Sequence, residues 1–383
     1  METPTEFDAI RPYRDEEIPQ VLEELIADEA FRKVVGVAVP GVPFEAVAAK
    51  MRQCRTVNEF QQALCYDILD RIARTTTDGL TLDHASLPDT QQAYTYLSNH
   101  RDIILDSGFL SILLARQGMD TVQIAIGDNL LIYPWIKRFV RVNKSVIVQR
   151  SLGMRQMLES SARLSRYIHY AVGQENHSLW IAQREGRAKD SDDRTQDSLL
   201  KMLSMGGEGS LIDRLRSLHI APLAISYEYD PCDYLKAQEF QQKRDIEGFK
   251  KSPADDLKNM ATGLTGRKGR VHFCTGRCLD TLLDQVDTSL SKQEQIAAIS
   301  ALIDREIHRN YRMYPGNYVA ADWLAGESRY ASRYTAEDET RFKQYVEGQL
   351  AKIDLPGKDE AFLREKLLQM YANPLKNHLA ALA

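Results

Sequence analysis

The sequence lacks the features that mark spanning, exported or nucleic-acid-binding chains. It has no long apolar run, because its most apolar stretch, residues 103–115, contains an aspartate and a glycine. That stretch also falls short of the roughly 20 apolar residues that a membrane-spanning helix needs. Basic residues are not in excess, since 49 Lys and Arg stand against 54 Asp and Glu, so no nucleic-acid partner is expected. The first 14 residues are acidic and polar, unlike a secretory signal peptide.

Cysteine is scarce and is not paired in the sequence. The five cysteines form no C-x-x-C motif, and Cys274 and Cys278 have no neighbouring His or Cys pair that would complete a zinc site. An odd number of cysteines without a signal peptide is typical of reduced thiols in the cytosol. We therefore expect a cytoplasmic protein without a metal site.

What is present is an ordinary globular composition, with 43% hydrophobic and 27% charged residues in 383 positions. The two ends show helical periodicity, and capping boxes begin at Ser291 and Thr335. The middle alternates short β-rich runs with helical stretches, which predicts βαβ units in an α/β fold with a mostly parallel central sheet flanked by helices. The predicted strands are residues 93–98, 121–126, 145–149, 178–182, 220–229 and 270–275.

These patterns divide the chain into three predicted regions. Residues 1–85 form an N-terminal helical region, and residues 86–285 form the α/β core. A charged, strand-poor insertion lies at about 233–268 within that core. Residues 286–383 form a C-terminal helical region.

The most informative polar segment follows the first predicted strand. Residues 99–102 read Asn-His-Arg-Asp, and an apolar helix is predicted directly after them. Open α/β sheets place their functional sites beyond the carboxyl ends of strands, and His100 is the only histidine in such a position. A histidine there can act as a general base if a carboxylate orients its ring. Asp106 is the candidate orienting group, provided that His100 lies in the loop and Asp106 in the first helical turns.

A purely structural interpretation of the same residues stays open at this point. His100 can be a surface histidine in a loop, with Asp102 as the helix N-cap and Asp106 favourable near the helix N-terminus. His and Asp alone do not decide between the two interpretations.

Four sequence blocks in a fixed order resemble the glycerol-3-phosphate and lysophosphatidate acyltransferases. The segment around His100 is similar to that family's N-H-x4-D block. The segment from Gly127 to Ser151 is similar to the second block, and "LWIAQREGRAKD" (residues 179–190) resembles the E-G-x-R block. Residues 220–228 resemble the fourth, a strand led by a proline. The resemblance covers roughly residues 90–280.

The resemblance implies an O-acyltransferase with His100 as general base and Asp106 as its partner. It implies that the acceptor is a phosphate monoester, for which arginine offers bidentate, charge-assisted contacts. No metal or redox cofactor is implied; the co-substrate is acyl-carrier protein or an acyl-CoA thioester. The residues that it assigns to substrate binding are Asn129, Arg150, Glu185, Gly186, Arg187, Lys189 and Pro222.

The sequence departs from the family pattern in two places. Five residues rather than four separate His100 from Asp106, so the loop must absorb one more residue, and Asp102 is the fallback partner. The third block reads Glu-Gly-Arg, so Arg187 or Lys189 must supply any cation that the family's arginine provides.

The expected reaction is transfer of a fatty acyl group to a hydroxyl of glycerol-3-phosphate or lysophosphatidate in phospholipid biosynthesis. We expect the protein to be peripheral on the inner face of the membrane. Residues 134–144 mix aromatic, aliphatic and basic side chains, which fits either an anionic membrane face or a core-packed helix with a basic solvated side. The alternative function is a non-catalytic protein that binds lipid or acyl carrier on the same fold.

Overall fold

The chain is described by a computed structural model that covers residues 3–39, 41–87, 89–150 and 152–383. Within these ranges a seven-stranded sheet forms the centre, in the spatial order β1-β7-β6-β2-β5-β3-β4. The strands are β1 Thr77–Asp83, β2 Thr95–Ser98, β3 Gln123–Gly127, β4 Ser145–Val148, β5 Leu179–Ala182, β6 Ile220–Tyr227 and β7 Gly269–Thr275.

The sheet is mostly parallel, as the alternating sequence pattern predicted. Strands β6, β2, β5, β3 and β4 are joined by parallel ladders. Strand β7 pairs antiparallel with β6 and parallel with β1, so these two strands run opposite to the other five. All six predicted strands are present, with boundaries that differ by at most two residues.

Strand β1 is a correction to the helical character predicted for residues 1–85. Helix formation stops at Thr76, and Gly79 has a φ of +146°, which a right-handed helix does not allow. The segment pairs instead with β7, about 190 residues later in the sequence. Local periodicity cannot reveal such a partner. The boundaries of the three predicted regions stay predictions.

The described residues form sixteen α-helices, and a π-helical segment, Gln61–Cys65, connects α4 to α5. The helices are α1 Ile18–Ala27, α2 Glu29–Ala38, α3 Phe44–Gln53, α4 Val57–Phe60, α5 Tyr66–Thr76, α6 Leu105–Arg116, α7 Pro134–Val142, α8 Met154–Gly173, α9 Asp197–Leu203, α10 Leu211–Arg216, α11 Asp233–Asp245, α12 Pro253–Thr265, α13 Lys292–Arg309, α14 Pro315–Ala325, α15 Ala336–Ala351 and α16 Glu360–Leu382.

Helices cover both faces of the sheet because successive strand side chains alternate between two apolar cores. On one face, Tyr96 and Trp180 pack with α5 and α6. On the other face, Leu97 and Ile181 pack with α8, α9, α10 and α13. Two further cores join α1–α4 to α7 and α11 to α14–α16. The sheet thus lies between two layers of helices, and the loops at the strand ends carry polar side chains.

The capping boxes predicted at the C-terminal helices are present. The Ser291 hydroxyl accepts from the Glu294 N–H at 3.4 Å at the start of α13. The Thr335 hydroxyl accepts from the Asp338 N–H at 3.1 Å at the start of α15. Across the described ranges, none of the helices has both the length and the apolar character needed to cross a membrane.

Helix α7 has the packing of a core helix. Its Trp135 and Phe139 lie against Phe31, with ring centroids 5.8 and 5.9 Å apart. Arg138 donates to Glu24, and Arg141 is buried with its guanidinium on backbone carbonyls of the N-terminal segment. Of the two interpretations of residues 134–144, the apolar face of α7 therefore agrees with the core-packed one.

Candidate active site

The segments that carry the four sequence blocks leave the sheet at one edge. Strands β2, β5, β3 and β4 lie side by side and run in the same direction, so their carboxyl ends meet at that edge. His100 follows β2, Glu185 follows β5, Asn129 follows β3 and Arg150 follows β4. Residues that are up to 85 positions apart in the sequence thereby come to neighbouring positions at the carboxyl edge.

His100 and Asp106 are in direct hydrogen-bond contact. The distance between His100 Nδ1 and Asp106 Oδ2 is 2.7 Å, and the Asp106 side chain is fully buried. Since an ionised carboxylate can only accept, Nδ1 carries the proton, and Nε2 of the neutral ring then has the lone pair. None of the described residues forms a hydrogen bond with Nε2. His100 is thus in the tautomer that a general base requires, although its catalytic role stays a prediction.

Asp106 reaches His100 because the loop folds around its carboxylate. The same oxygen, Oδ2, accepts from the backbone N–H groups of Arg101 at 2.6 Å and Asp102 at 3.1 Å. These bonds curl residues 100–102 over the first turn of α6. The loop therefore absorbs the additional residue that separates this sequence from the family spacing.

Asp102, the fallback partner, contacts the backbone at the start of α6 instead, two residues before the N-cap residue Ile104. Its Oδ1 accepts from the N–H groups of Ile104 at 2.9 Å and Leu105 at 2.8 Å. Burial, and then the charge of Asp106, raises the pKa of the Asp102 carboxyl. Asp102 is therefore not the N-cap that the structural interpretation predicted, although it accepts from the N–H groups at the start of α6, and Asp106 contacts His100.

The histidine ring is held on its other side by Trp180 of β5. The two ring centroids are 5.6 Å apart in an edge-to-face arrangement, and the Trp180 indole N–H donates to Ser98 Oγ at 2.9 Å. The His100 side chain retains 13% of its exposure, enough for solvent or a ligand to reach it.

Asn99 anchors the loop to the neighbouring strand. Its amide nitrogen donates to the Ile225 carbonyl at 2.9 Å, and its amide oxygen accepts from the Ile225 N–H at 2.8 Å. The side chain is fully buried in the sheet. Asn99 therefore fixes where β2 ends, immediately before His100.

Arg150, Glu185 and Asn129 come together farther along the edge. Arg150 Nη1 is 3.0 Å from Glu185 Oε1, and their side chains retain 35% and 71% of their exposure. The Asn129 and Arg150 side chains both lie close to Gly127, where a Cβ atom would make them shift. Gly186 has a φ of +68°, which a glycine adopts without strain. These residues form an exposed polar group beside the His100 loop.

Arg187 and Lys189 contact the helices of the segment predicted as an insertion. Arg187 Nη2 donates to Asn259 of α12 at 3.0 Å, while its Nη1 is buried without a hydrogen-bond partner. Lys189 forms an ion pair with Glu239 of α11, and burial lowers the pKa of Lys189 to about 8. The unpartnered Nη1 leaves Arg187 as the better candidate cation of the two.

Pro222 lies inside the sheet and away from the loops. It is a buried residue of β6, it pairs with Leu97, and its carbonyl accepts from the Gly276 N–H at 2.7 Å. It is therefore placed below the carboxyl edge, and its predicted contact with substrate stays a prediction.

Three residues that the sequence did not predict, Asp193, His308 and Tyr311, hold the His100 loop on its inner side. Arg101 makes a bidentate ion pair with Asp193, at 3.2 and 2.7 Å. The Tyr311 hydroxyl donates to Asp193 Oδ2 at 2.6 Å, and His308 Nε2 lies 2.8 Å from the Asp193 carbonyl. These contacts tie the loop to α13 and the turn after it, and no local pattern could have linked residues about 90 and 200 positions apart.

A buried tyrosine lies behind Asp106. The Tyr227 side chain is buried beside the Asp106 and Asp102 carboxylates. Burial, followed by the negative charges of Asp106 and Asp102, raises the pKa of Tyr227, so its hydroxyl is protonated. The carboxylate that contacts His100 thus has two backbone N–H groups, a protonated tyrosine and the Asp102 carboxyl as neighbours.

The described part of the chain holds no cluster of three His, Cys, Asp or Glu side chains arranged for a metal ion. The five cysteines are free thiols. The candidate chemistry of the edge is thus that of His100, its carboxylate and the nearby arginines.

Comparison with solved structures shows a likeness of fold. No family model matches the chain, and no curated protein matches it. The fold is similar to a crystal structure of the 1-acyl-sn-glycerophosphate acyltransferase PlsC from Thermotoga maritima, at a TM-score of 0.37 and 12% sequence identity. The match covers 76% of this chain and 96% of that one.

Proposed function

We propose that this chain is an O-acyltransferase that moves a fatty acyl group from acyl-carrier protein or acyl-CoA to a hydroxyl of glycerol-3-phosphate or lysophosphatidate. The observation that carries the proposal is the His100–Asp106 contact of 2.7 Å at the carboxyl edge, with Nε2 unpartnered among the described residues. The resemblance of the four sequence blocks supplies the reaction class.

In the proposed reaction, Nε2 of His100 removes the proton of the acceptor hydroxyl. The hydroxyl oxygen then forms a bond to the thioester carbonyl carbon and gives a tetrahedral oxyanion. When this intermediate collapses, the C–S bond breaks and the thiolate takes the proton from the His100 imidazolium. Asp106 stabilises the imidazolium and keeps the ring in one tautomer.

The arginines at the edge support a phosphate-bearing acceptor. Arg150 has accessible N–H groups, and its pairing with Glu185 is largely exposed, so a phosphate can compete for the guanidinium. Glu185 is then released to accept a hydrogen bond from a glycerol hydroxyl. Arg187, with its unpartnered Nη1, is the second candidate ligand.

The test measures ester formation from a labelled acyl donor with glycerol-3-phosphate and lysolipid acceptors. His100→Asn should lower kcat by about 10²–10⁴-fold, the usual contribution of a general base. The chain offers a matched control: His219 pairs with Asp280 at 2.5 Å, but immediately before the start of β6. His219→Asn should leave turnover unchanged.

Two results would overturn the proposal. One is turnover that survives in His100→Asn. The other is a wild-type protein that binds acyl chains stoichiometrically without forming ester, since that behaviour belongs to the non-catalytic lipid- or carrier-binding alternative.

A further inference from the structure

Four large apolar side chains are exposed in the segments that follow β3 and β4 at the carboxyl edge. Ile132 and Tyr133, between β3 and α7, retain 43% and 51% of their exposure. Met157 and Leu158, in the first turns of α8, retain 43% and 63%. Single exposed apolar residues are common on protein surfaces, but a group of them at one place indicates an interaction site. We call these four residues the edge patch.

The two segments that carry the edge patch follow neighbouring strands. Strands β3 and β4 pair in parallel, with Gly127 opposite Val148 at their carboxyl ends. Directly beyond the strands, the Arg150 N–H donates to Asp128 Oδ1 at 3.1 Å, which joins the loops. The patch therefore extends the same edge that carries His100.

The sequence segment that carries the edge patch is basic although the chain as a whole is acidic. Residues 127–163 contain seven Lys or Arg and two Asp or Glu, a net charge of +5, whereas the formal net charge of the chain is -5. Arg155 is 94% exposed and faces Glu159 at 3.6 Å, an exposed pair for whose guanidinium an external anion can compete. Lys137 forms no ion pair with any described residue.

We propose that the edge patch docks on the anionic surface of a phospholipid bilayer. Aliphatic and tyrosine side chains beside Lys and Arg fit the boundary between headgroups and acyl chains, where each kind of group finds its preferred solvent. An acidic protein partner would use the cations but would leave the exposed aliphatic residues unexplained. The inference deepens the proposed function, because a membrane-bound acceptor would then face His100.

The experiment measures binding of the full chain to vesicles of phosphatidylcholine with or without phosphatidylglycerol. The wild-type protein should bind the anionic vesicles preferentially, and added salt should weaken the binding. Leu158→Ser with Tyr133→Ser should weaken it by about tenfold or more. Leu382→Ser is the matched control, because Leu382 is 58% exposed at the far end of α16 and should leave binding unchanged.

A second variant tests the charges without touching the apolar residues. Lys137→Glu with Arg155→Glu changes only exposed side chains, so it should fold normally and lose the preference for anionic vesicles. Equal binding to both vesicle types, or unchanged binding in both double variants, would overturn the inference. Self-association, or binding of acidic carrier protein instead of vesicles, would overturn it as well.

Failure of this inference is distinguishable from failure of the proposed function. Turnover of a short-chain, water-soluble donor with glycerol-3-phosphate does not need a membrane. If this turnover is present without vesicle binding, the docking surface is wrong. If vesicles bind and no ester forms from any acceptor, the proposed reaction is wrong.

Discussion

The ion pair behind the His100 loop allows a quantitative prediction. Asp193→Ala removes the partner of a guanidinium that is almost entirely inside the protein, since the Arg101 and Asp193 side chains retain 7% and 1% of their exposure. Breaking such a pair by truncating one partner costs about 3–5 kcal/mol of unfolding free energy, because it leaves a buried charge uncompensated. The Tyr311 hydroxyl loses its 2.6 Å acceptor in the same variant.

The loss of unfolding free energy should be smaller when both charges are removed together. Replacing a buried pair with apolar residues of similar volume is often neutral, so Arg101→Met with Asp193→Leu should recover most of the lost stability. The double-mutant cycle should give a coupling free energy of about 2–3 kcal/mol in urea denaturation. A loss below about 1 kcal/mol in Asp193→Ala would refute the reasoning.

The same variants separate positioning from stability. The double variant restores the fold but no longer fixes the loop, so kcat should fall while KM for the acceptor changes little. The NMR chemical shifts of the His100 ring nitrogens should also differ from those of the wild-type protein. An unchanged kcat and unchanged chemical shifts would mean that the pair has only a structural role.

Two further predictions concern packing and pH. Gly263→Ala should destabilise the protein by about 1–3 kcal/mol, because the new Cβ would overlap the Asp102 carboxylate. Gly348→Ala, with open space around it, should stabilise the protein by about 0.5–1 kcal/mol. Thermal melts of the two variants and the wild-type protein measure both effects. Burial raises the pKa of Asp304, which accepts from Thr195, to about 6. This group therefore stabilises the fold below about pH 4, and the contribution is lost as the pH rises through 6. Asp304→Asn should remove that dependence, up to about 3 kcal/mol, from denaturation curves at pH 4 and 7; equal slopes in both proteins would contradict it.

The central sheet was predictable because its strands carry a local signal. Each of the six predicted runs contains β-branched or aromatic residues and is bounded by polar or glycine residues. Strand β1 gives no such signal, since its side chains are mostly exposed or half-buried and its stability depends on pairing with β7. Edge strands of this kind are decided by tertiary contacts.

The site was predictable only where its residues are close in sequence. His100 and Asp106 are separated by one loop, so a block of seven residues is enough to suggest their contact. The ion pair of Arg101 with Asp193 forms because the fold brings the segment after β5 and helix α13 behind the loop. No sequence pattern near either residue predicts this contact. The partners of Arg187 on α12 were unpredictable for the same reason.

The two hydrogen bonds of Asn99 have a consequence for how a strand can stop in mid-sheet. The side-chain amide of Asn99 takes the place of a peptide group. The N–H and carbonyl of Ile225 in β6 therefore have hydrogen-bond partners although the main chain of β2 has already ended. The backbone after Asn99 is then free to bend without leaving an unpaired carbonyl or N–H on the neighbouring strand. Aspartate has the same shape but lacks the donor, and leucine lacks both groups. The tolerance for substitution should therefore be narrower at this buried amide than at the exposed arginine and glutamate farther along the edge.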